Sequence, residues 1–171
     1  MADDLIERAR AGDVDAFEEL ARSRLDAMYR LAVGITGDTT EARDVAQEAL
    51  VAMWRGLPSL RALEAFDGWL FRITLNAAKM ALRRRSGVRE LQLAREENDL
   101  MSRADTSQPS DFNRAFERLT VEQRALLLRH HLDGMTVAAL ADLLEVPEGT
   151  VKSRLHTARA ALERALERER R

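Results

Sequence analysis

The sequence predicts an all-α fold, in which two helical domains are joined by a flexible acidic linker. Leu, Ala, Arg and Glu, which favour helices, are abundant, and apolar residues recur every three or four positions along most of the chain. No segment shows the alternation of apolar and polar residues, bounded by turn formers, that indicates a β-strand. A length of 171 residues with 46% hydrophobic content allows two small domains that each bury a core.

The first domain, residues 1–87, is predicted to contain three long helices. The first has one apolar face, and the turn formers at residues 37–40 are expected to end it. That face consists of Phe17, Leu20, Ala21, Leu25, Met28, Ala32 and Ile35. The second helix is predicted over residues 40–57, with Thr40 as its N-cap and Pro58 as its stop, because proline cannot continue a helix.

The third helix, predicted over residues 65–85, separates an apolar face from a basic one. The apolar face consists of Phe66, Leu70, Ile73, Ala77 and Met80. A second face, called the basic stripe below, consists of Arg72, Asn76, Lys79 and Arg83 at positions i, i+4, i+7 and i+11. Arg84 and Arg85 extend its positive charge, and the helix is expected to end near Ser86 and Gly87.

Residues 88–112 form the predicted linker, because their apolar pattern weakens and the stretch ADTSQPSD combines turn formers with acidity. The second domain, residues 113–171, is predicted to contain helices over residues 121–132, 136–144 and 148–168. Its core is expected to include Phe116, Leu119, Leu126 and Leu127.

Charge is unevenly distributed, although the net charge of the chain is only −2. Residues 61–95 carry eight basic and three acidic groups, whereas residues 96–112 carry one basic and five acidic groups. A basic segment suits phosphates and an acidic segment suits a protein partner, but charge blocks are also commonly solvated faces. On charge alone, both interpretations stay open.

Composition argues against several classes of function. The absence of cysteine excludes disulfides and thiol catalysis, and three histidines leave little for a metal site, so we expect no metal and no cofactor. The adjacent His130 and His131 point about 100° apart on a helix and are interpreted as structural. No motif for catalysis is visible, so the chain is not expected to be an enzyme. The sequence has no long apolar run and no secretory signal, which predicts a cytoplasmic protein without membrane insertion.

The stretch MTVAALADLLEVPEGTVKSRL predicts a helix-turn-helix, because a short helix is followed by a brief turn and a longer helix. Pro147 suits the first position of the longer helix, where its missing N–H would have no intrahelical partner. The apolar face of that helix consists of Val151, Leu155, Ala158 and Leu162. The opposite face consists of Lys152, Ser153, His156 and Thr157, which have the length and polarity to reach base edges in a major groove. The alternative is an amphipathic helix with a solvated polar face.

The basic stripe and the loop before it suit unpaired nucleic acid. The stripe can follow a phosphate backbone, while Arg61, Phe66 and Trp69 can contact or stack on bases. Aromatic residues at helical spacing are more often part of a core, so that interpretation also stays open.

One face of the second helix suits a protein partner. Asp44, Gln47, Glu48, Val51 and Arg55 share this face, opposite Ala42, Val45 and Ala49. An exposed valine among acidic and polar groups suggests a protein contact, although single exposed apolar residues are ordinary.

These segments resemble the extracytoplasmic-function (ECF) sigma factors of bacterial RNA polymerase, a group of the sigma-70 family, over nearly the whole chain. LTVEQRALLLRHHLDGMTVAALADLLEVPEGTVKSRLHTARAAL resembles region 4 of that family, although response-regulator output domains share a looser form of GTVKSRLHTAR. GDVDAFEELARSRLDAMYRLA, DTTEARDVAQEALVAMWR and FDGWLFRITLNAAKMALRRR resemble region 2, which those output domains lack.

The resemblance implies a role for each candidate residue. Docking on the β′ clamp helices of the polymerase is implied for Asp44, Val45, Gln47, Glu48 and Val51. Contacts to the melted minus-ten element are implied for Arg61, Phe66, Asn76, Lys79 and Arg83. Recognition of the minus-thirty-five duplex is implied for Lys152, Ser153, His156 and Thr157, with Thr150 and Arg159 contacting the DNA backbone.

The implied function is promoter-specific transcription initiation with core RNA polymerase. The implied partners are the β′ clamp helices and β flap of the polymerase, promoter DNA and an anti-sigma factor, and the linker is expected to lie in the RNA-exit path. The anti-sigma factor is also expected because the chain is small and has no sensory domain after Arg171. The alternatives are a helix-turn-helix regulator that binds palindromic duplex DNA without polymerase, and a helical adaptor that does not bind DNA.

Overall fold

The computed structural model describes residues 2–96 and 110–170, and within these ranges it contains eight α-helices and no strand. The helices are α1 (Ala2–Arg10), α2 (Val14–Thr36), α3 (Thr39–Gly56), α4 (Phe66–Glu96), α5 (Asp111–Glu117), α6 (Val121–His131), α7 (Val137–Leu144) and α8 (Glu148–Glu169). The prediction of an all-α fold is confirmed. None of the helices in the described ranges is long and apolar enough to cross a membrane.

Helices α1 to α4 form the N-terminal domain. Its main core is built by α1, α2, α3 and the start of α4, and it includes Ile6, Leu20, Met28, Ala49, Met53, Leu57, Phe66 and Leu70. Gly37, at φ 71°, ends α2 as predicted for the turn at residues 37–40. The prediction that Thr40 caps α3 is wrong, because the carboxylate of Asp38 accepts hydrogen bonds from the main-chain N–H groups of Thr40 and Glu41.

Helix α4 does not end near Ser86 and Gly87, as the sequence predicted, but continues to Glu96. A glycine ends a helix when it adopts the left-handed conformation, and Gly87 is not among the positive-φ glycines. Inside a helix it costs only about 1 kcal/mol relative to alanine. The first part of the predicted linker is therefore helical, while residues 97–109 lie outside the described residues.

Helices α5 to α8 form the C-terminal domain. The three predicted helices, α6 to α8, are confirmed within about two residues at each end. Helix α5 was not predicted; Ser110 caps it, so the domain begins before Asn113. Pro147 is the N-cap of α8 rather than its first helical residue. The core includes Leu119, Leu126, Leu127, Leu140, Ala141, Val151, Leu155 and Ala158.

The two domains pack against each other, with α2 and α4 on one side and α6 and α7 on the other. From the N-terminal domain, this interdomain interface includes Leu31, Ile35, Phe71 and Leu75. From the C-terminal domain, it includes Val121, Ala125, Leu128, Leu143 and Leu144. These residues form a core that is shared between the domains.

The interdomain interface changes which face of α4 is buried. Phe71 and Leu75 are buried, whereas Met80, predicted to be buried, is 49% exposed. At 100° per residue, Phe71 and Leu75 lie on a different side of the helix from Phe66 and Met80. The C-terminal domain covers this side of α4. The buried surface of the helix is therefore wider than the predicted apolar face and is centred on a different side. Leu25, at the edge of the predicted face of α2, is also half-exposed.

Candidate nucleic-acid and polymerase interfaces

The longer helix of the helix-turn-helix, α8, is anchored by its apolar face. Val151, Leu155 and Ala158 are buried against α6 and α7, and Leu162 is partly buried. The opposite side chains of Lys152, Ser153, His156 and Thr157 are exposed, as predicted. Lys152 lies 3.5 Å from Glu148 in a surface ion pair, which is weak and leaves the lysine available to another anion.

Two further candidates flank this face of α8. Thr150 is partly exposed near the start of the helix, and Arg159 is exposed one turn after His156. The guanidinium nitrogens of Arg159 lie 3.4 Å from Nε2 of His131. Burial lowers the pKa of His131, which favours the neutral ring that can accept a hydrogen bond from Arg159. Nδ1 of His130 lies 2.8 Å from the carbonyl oxygen of Met135, in keeping with a structural role.

The basic stripe of α4 lies partly at the interdomain interface. Arg72, Asn76 and Arg83 are exposed, and Lys79 is partly buried. Nζ of Lys79 lies 2.5 Å from Oε1 of Glu122, which belongs to the C-terminal domain. The hydrogen bond from Lys79 is the main cause of a lowered pKa for Glu122.

The two arginines that follow the stripe hold α4 against its neighbours. Arg84 pairs with Glu48 of α3 at 2.8 Å. Arg85 donates hydrogen bonds of 3.1 Å to the carbonyl oxygen of Thr36 and to the carboxylate of Glu41. The positive charges of Arg84 and Arg85 therefore also stabilise the packing of α4 against α2 and α3.

Arg61, in the loop before α4, and Phe66, the first residue of α4, have different surroundings. Arg61 is exposed, whereas Phe66 is only 1% exposed and packs against Trp69, with ring centroids 6.0 Å apart. The guanidinium of Arg24 lies over the Phe66 ring, 5.8 Å from its centroid. Phe66 is therefore a core residue that positions the preceding loop. This agrees with the alternative interpretation, in which aromatic residues at helical spacing belong to a core.

The predicted polymerase-binding face of α3 is exposed except for Val45. Asp44, Gln47, Glu48 and Val51 are exposed, and the last three border a shallow depression together with Arg55. Val45 is fully buried, so it supports this face from beneath.

The structure adds an exposed aromatic residue to this face. The Trp54 ring, 44% exposed, packs edge-on against Phe17 with ring centroids 4.6 Å apart. Trp54 lies one turn after Val51, so the two side chains form an apolar surface within a polar rim.

A residue that the sequence did not single out joins the two domains. Arg124 of α6 is buried and donates hydrogen bonds to the carbonyl oxygens of Leu119 at 3.2 Å, of Glu117, and, across the interface, of Ile35 at 2.7 Å. Burial lowers its pKa. In the sequence, Arg124 looks like any polar residue on the exposed face of an amphipathic helix. Only the tertiary packing shows that it is buried and joins the two domains.

Comparison with known proteins identifies the family. Residues 20–88 match the model of Sigma-70 region 2, and residues 111–162 match that of Sigma-70, region 4. The ECF RNA polymerase sigma factor SigM of Mycobacterium tuberculosis is 37% identical over 160 residues, which cover 91% of this chain and 80% of that protein. The chain belongs to the ECF sigma factors of the sigma-70 family. Another ECF sigma factor, the sigma-E factor of Escherichia coli, is 30% identical over 174 residues, covering 93% of this chain and 91% of that one.

Solved structures of sigma factors share the fold. CnrH, in complex with the cytosolic domain of CnrY, matches with a TM-score of 0.66 and 27% identity, and the match covers 97% of each chain. The sigma factor RpoE of Bartonella quintana, in complex with the anti-sigma factor NepR, matches with a TM-score of 0.59, covering 88% of this chain and 96% of that one. At 24% identity, this second match supports the fold alone.

As an ECF sigma factor, the chain is a transcription initiation factor that acts with core RNA polymerase at promoter DNA. The family disfavours the polymerase-independent regulator and the adaptor that does not bind DNA.

Proposed function

We propose that this ECF sigma factor docks on core RNA polymerase through α3 and recognises a bipartite promoter with its two domains. The observation that carries the proposal is that two surfaces suited to nucleic acid lie on different domains, one on α4 and one on α8. Residues 1–87 would contact the melted minus-ten element and residues 113–171 the minus-thirty-five duplex.

The polymerase contact is centred on Val51. An apolar centre with a polar rim is the usual composition of a protein interface, and here Asp44, Gln47 and Glu48 provide the rim. The β′ clamp helices are the proposed partner of this face, while Val45 acts from beneath by holding α3 in place.

Duplex DNA is contacted by the exposed face of α8. A helix fits the major groove, where Lys152, Ser153, His156 and Thr157 reach base edges and phosphates. Thr150 and Arg159 flank this face and contact the DNA backbone.

Melted DNA is held by the N-terminal domain. Arg61, Asn76, Lys79 and Arg83 contact the phosphates and bases of the unpaired strand, and Phe66 positions the loop that carries Arg61. Binding unstacked bases favours the opened state of the promoter, because the duplex does not offer them.

The remaining proposals concern partners and location. An anti-sigma factor controls the chain, a proposal supported by the solved complex of CnrH with the cytosolic domain of CnrY. The linker, residues 88–112, carries an excess of acidic residues and lies in the RNA-exit path of the polymerase. This path accommodates RNA, which is also a polyanion. The protein acts in the cytoplasm, where the polymerase is.

Run-off transcription with bacterial core polymerase and a promoter library tests the function. The expected result is initiation at templates that share two separated sequence elements. Binding to a palindromic duplex without initiation, or failure to join core polymerase, would overturn the proposal. Co-purification from unstressed cells tests the anti-sigma factor separately, and recovery of the chain with no inhibitory protein would contradict that part.

A further inference from the structure

Helix α1 lies outside the residues that match the family. The match to Sigma-70 region 2 begins at residue 20, whereas α1 spans Ala2–Arg10. Two residues of α1, Ile6 and Ala9, are nevertheless buried in the main core of the N-terminal domain. The helix is therefore a fixed part of this domain, and its contacts indicate what it does there.

The loop before α4, residues 57–65, lies against α1. It contains two single-turn 3₁₀ helices, Leu57–Ser59 and Leu63–Ala65, and α1 contacts both. Between these turns Leu60 is buried, whereas Arg61 is exposed. Arg61 is the residue of this loop that the proposed function assigns to the unpaired DNA strand.

One side chain of α1 reaches the main chain next to Arg61. Nη1 of Arg10 donates a hydrogen bond of 3.2 Å to the carbonyl oxygen of Leu60, and this bond is partly buried. Hydrogen bonds from a charged donor are among the stronger ones in proteins. The other partner of Arg10 is the exposed carboxylate of Glu7, which is 3.8 Å away and contributes little. The contact with Leu60 is therefore the main interaction of the Arg10 guanidinium.

This hydrogen bond restrains the peptide unit that joins Leu60 to Arg61. The carbonyl oxygen of Leu60 and the N–H of Arg61 belong to one planar unit and point in opposite directions. Among the described residues, no main-chain carbonyl accepts that N–H, so the bond from Arg10 is what holds the unit. Rotation of the unit would change φ of Arg61, which sets the direction in which its side chain leaves the main chain.

The position of α1 is itself fixed at its C-terminal end. Arg8 pairs with Asp13 at 2.6 Å, and Asp13 also caps α2 by accepting a hydrogen bond of 3.0 Å from the N–H of Ala16. Gly12, at φ 97°, provides the turn between the two helices, in a conformation that glycine adopts without steric cost. Arg10 therefore reaches the loop from a helix that is anchored to α2.

We propose that Arg10 is a positioning residue: by holding the carbonyl oxygen of Leu60, it presents Arg61 to the unpaired strand of the minus-ten element in the orientation that binds. This inference rests on the function proposed above, because it concerns how Arg61 is presented. Without Arg10 the peptide unit adopts several orientations, and only the fraction in the competent one binds. The apparent affinity for the single strand falls in proportion to that fraction.

Two substitutions test the hydrogen bond. Arg10→Met removes the donors and keeps a long apolar side chain, whereas Arg10→Lys keeps the charge and a donor on a flexible stem. Arg22→Met is the matched control, since Arg22 is exposed on α2 and donates its hydrogen bond to Glu18 of the same helix. Arg61→Ala, alone and combined with Arg10→Met, completes a double-mutant cycle.

All variants are measured as holoenzymes with bacterial core polymerase. Fluorescence anisotropy measures binding to the non-template single strand of a promoter selected by run-off transcription. Affinity for core polymerase and the midpoint of urea unfolding are measured in parallel, so that a loss of folded chain is separated from a loss of DNA binding.

Arg10→Met is expected to weaken single-strand binding by about tenfold, the loss when a dominant orientation falls to one tenth occupancy. Its affinity for core polymerase should equal that of the parent, because the proposed contact lies on α3. Arg10→Lys should lose less, because its ammonium group can still donate to the carbonyl oxygen, and Arg22→Met should behave as the parent does. In the Arg61→Ala background, Arg10→Met should have little further effect, because the side chain that it positions is gone.

Unchanged single-strand affinity in Arg10→Met would overturn the positioning role, whatever happens to its stability in urea. An equal tenfold loss in the Arg61→Ala background would also overturn it, since Arg10 would then act independently of Arg61. If Arg10→Met does not fold, Arg10→Lys takes its place in the same cycle. Each of these results, with normal initiation by the parent, leaves the proposed function intact. Failure of the parent to initiate, or full single-strand binding by Arg61→Ala, would instead overturn the function proposed for Arg61, and this inference with it.

Discussion

At the scale of single residues, Arg124 illustrates how a charge is accommodated in a core. Its guanidinium is buried, and main-chain carbonyl oxygens of Leu119, Glu117 and Ile35 accept its hydrogen bonds. Carbonyl oxygens at helix ends lack intrahelical partners, so one side chain satisfies acceptors that would otherwise be buried without a donor.

Replacing this side chain by one of similar length without hydrogen-bond donors should destabilise the fold. Arg124→Met is expected to lower the free energy of unfolding by about 3 kcal/mol, because buried carbonyl oxygens lose their donors. Urea titration followed by circular dichroism measures the change. Arg164→Met, at an exposed position of α8, is the control and should change little. Equal effects of the two substitutions would contradict this role of Arg124.

Glu145 adopts the left-handed backbone conformation, which is uncommon for residues other than glycine. It ends α7 at φ 55° and ψ 44°, and among the described residues it is the one non-glycine with a positive φ. Its main-chain N–H still caps the helix by donating to the carbonyl oxygens of Ala141 and Asp142.

Glycine at this position should stabilise the turn of the helix-turn-helix. Glu145→Gly is expected to raise the free energy of unfolding by about 1 kcal/mol, because glycine adopts the left-handed conformation without steric cost. Glu145→Gln keeps the strain and removes the charge, so its stability in urea should stay near that of the parent. The prediction fails if the two variants unfold at the same urea concentration.

At the scale of elements, the start of α3 depends on one carboxylate. Asp38 accepts hydrogen bonds of 2.7 Å and 2.8 Å from two of the free N–H groups in the first turn of the helix, those of Thr40 and Glu41. The sequence analysis assigned this role to Thr40. Asp and Thr are both good N-caps, and only the main-chain conformation determines whether Asp38 or Thr40 takes the position.

The two candidates for the cap can be compared directly. Asp38→Ala is expected to lower the free energy of unfolding by about 1 kcal/mol, whereas Thr40→Ala, inside the helix and exposed, should leave it nearly unchanged. Thermal and urea unfolding measure both variants. A greater loss for Thr40→Ala would restore the original prediction.

Helices α5 and α8 are joined by Glu169. Its carboxylate accepts hydrogen bonds from Arg118 at 2.7 Å and Arg114 at 2.9 Å, and these bonds lower its pKa. A pKa that is lower in the folded state means that the interaction stabilises the fold above the ordinary glutamate pKa, and that this stabilisation is lost as the pH falls through the lowered value.

The pH dependence of unfolding should reveal this link. Below about pH 4.3, the ordinary glutamate value, the parent chain is expected to lose stability more steeply than Glu169→Gln, which has no proton to bind there. Urea titrations at a series of pH values measure both slopes. Glu163→Gln, the control, should keep the slope of the parent. Parallel curves for the parent and Glu169→Gln would exclude a contribution from this carboxylate.

At the scale of the whole molecule, the proposed polymerase-binding face of α3 and the interdomain interface lie on different parts of the N-terminal domain. Val51 and Trp54 are exposed on α3, while α2 and α4 contact the C-terminal domain. The proposed polymerase contact on α3 is therefore exposed while the two domains are packed together.

A charge at the centre of the α3 face should separate polymerase binding from the other properties of the chain. Val51→Glu is expected to weaken binding to core polymerase by about tenfold or more, as a central apolar contact is lost and a charge is desolvated. Val14→Glu is the matched control, since Val14 is also exposed but lies at the start of α2. Equilibrium binding of labelled chain to core polymerase measures both. Similar affinities for the two variants would place the polymerase contact elsewhere.

Sequence by itself determined the all-α class, the positions of α2, α3 and α6 to α8, and the exposed face of α8. Helical periodicity, helix caps and glycine turns are local signals, because each depends only on residues that are close together in the sequence. The alternation of Val151, Leu155 and Ala158 with Lys152, Ser153 and His156 is such a signal.

Only the tertiary structure decided that α4 continues past Gly87, that Phe71 and Leu75 are buried, and that Lys79 pairs with Glu122. The burial of Phe71 and Leu75 and the Lys79–Glu122 pair both depend on contacts between the two domains. A periodic pattern within one helix does not indicate contacts with residues that are distant in the sequence. The helical glycines Gly34 and Gly68 lie close to Leu128 and Leu143 of the other domain, a contact that their positions in the sequence do not indicate. Burial at an interface depends on the distance between residues in space, which local sequence does not specify.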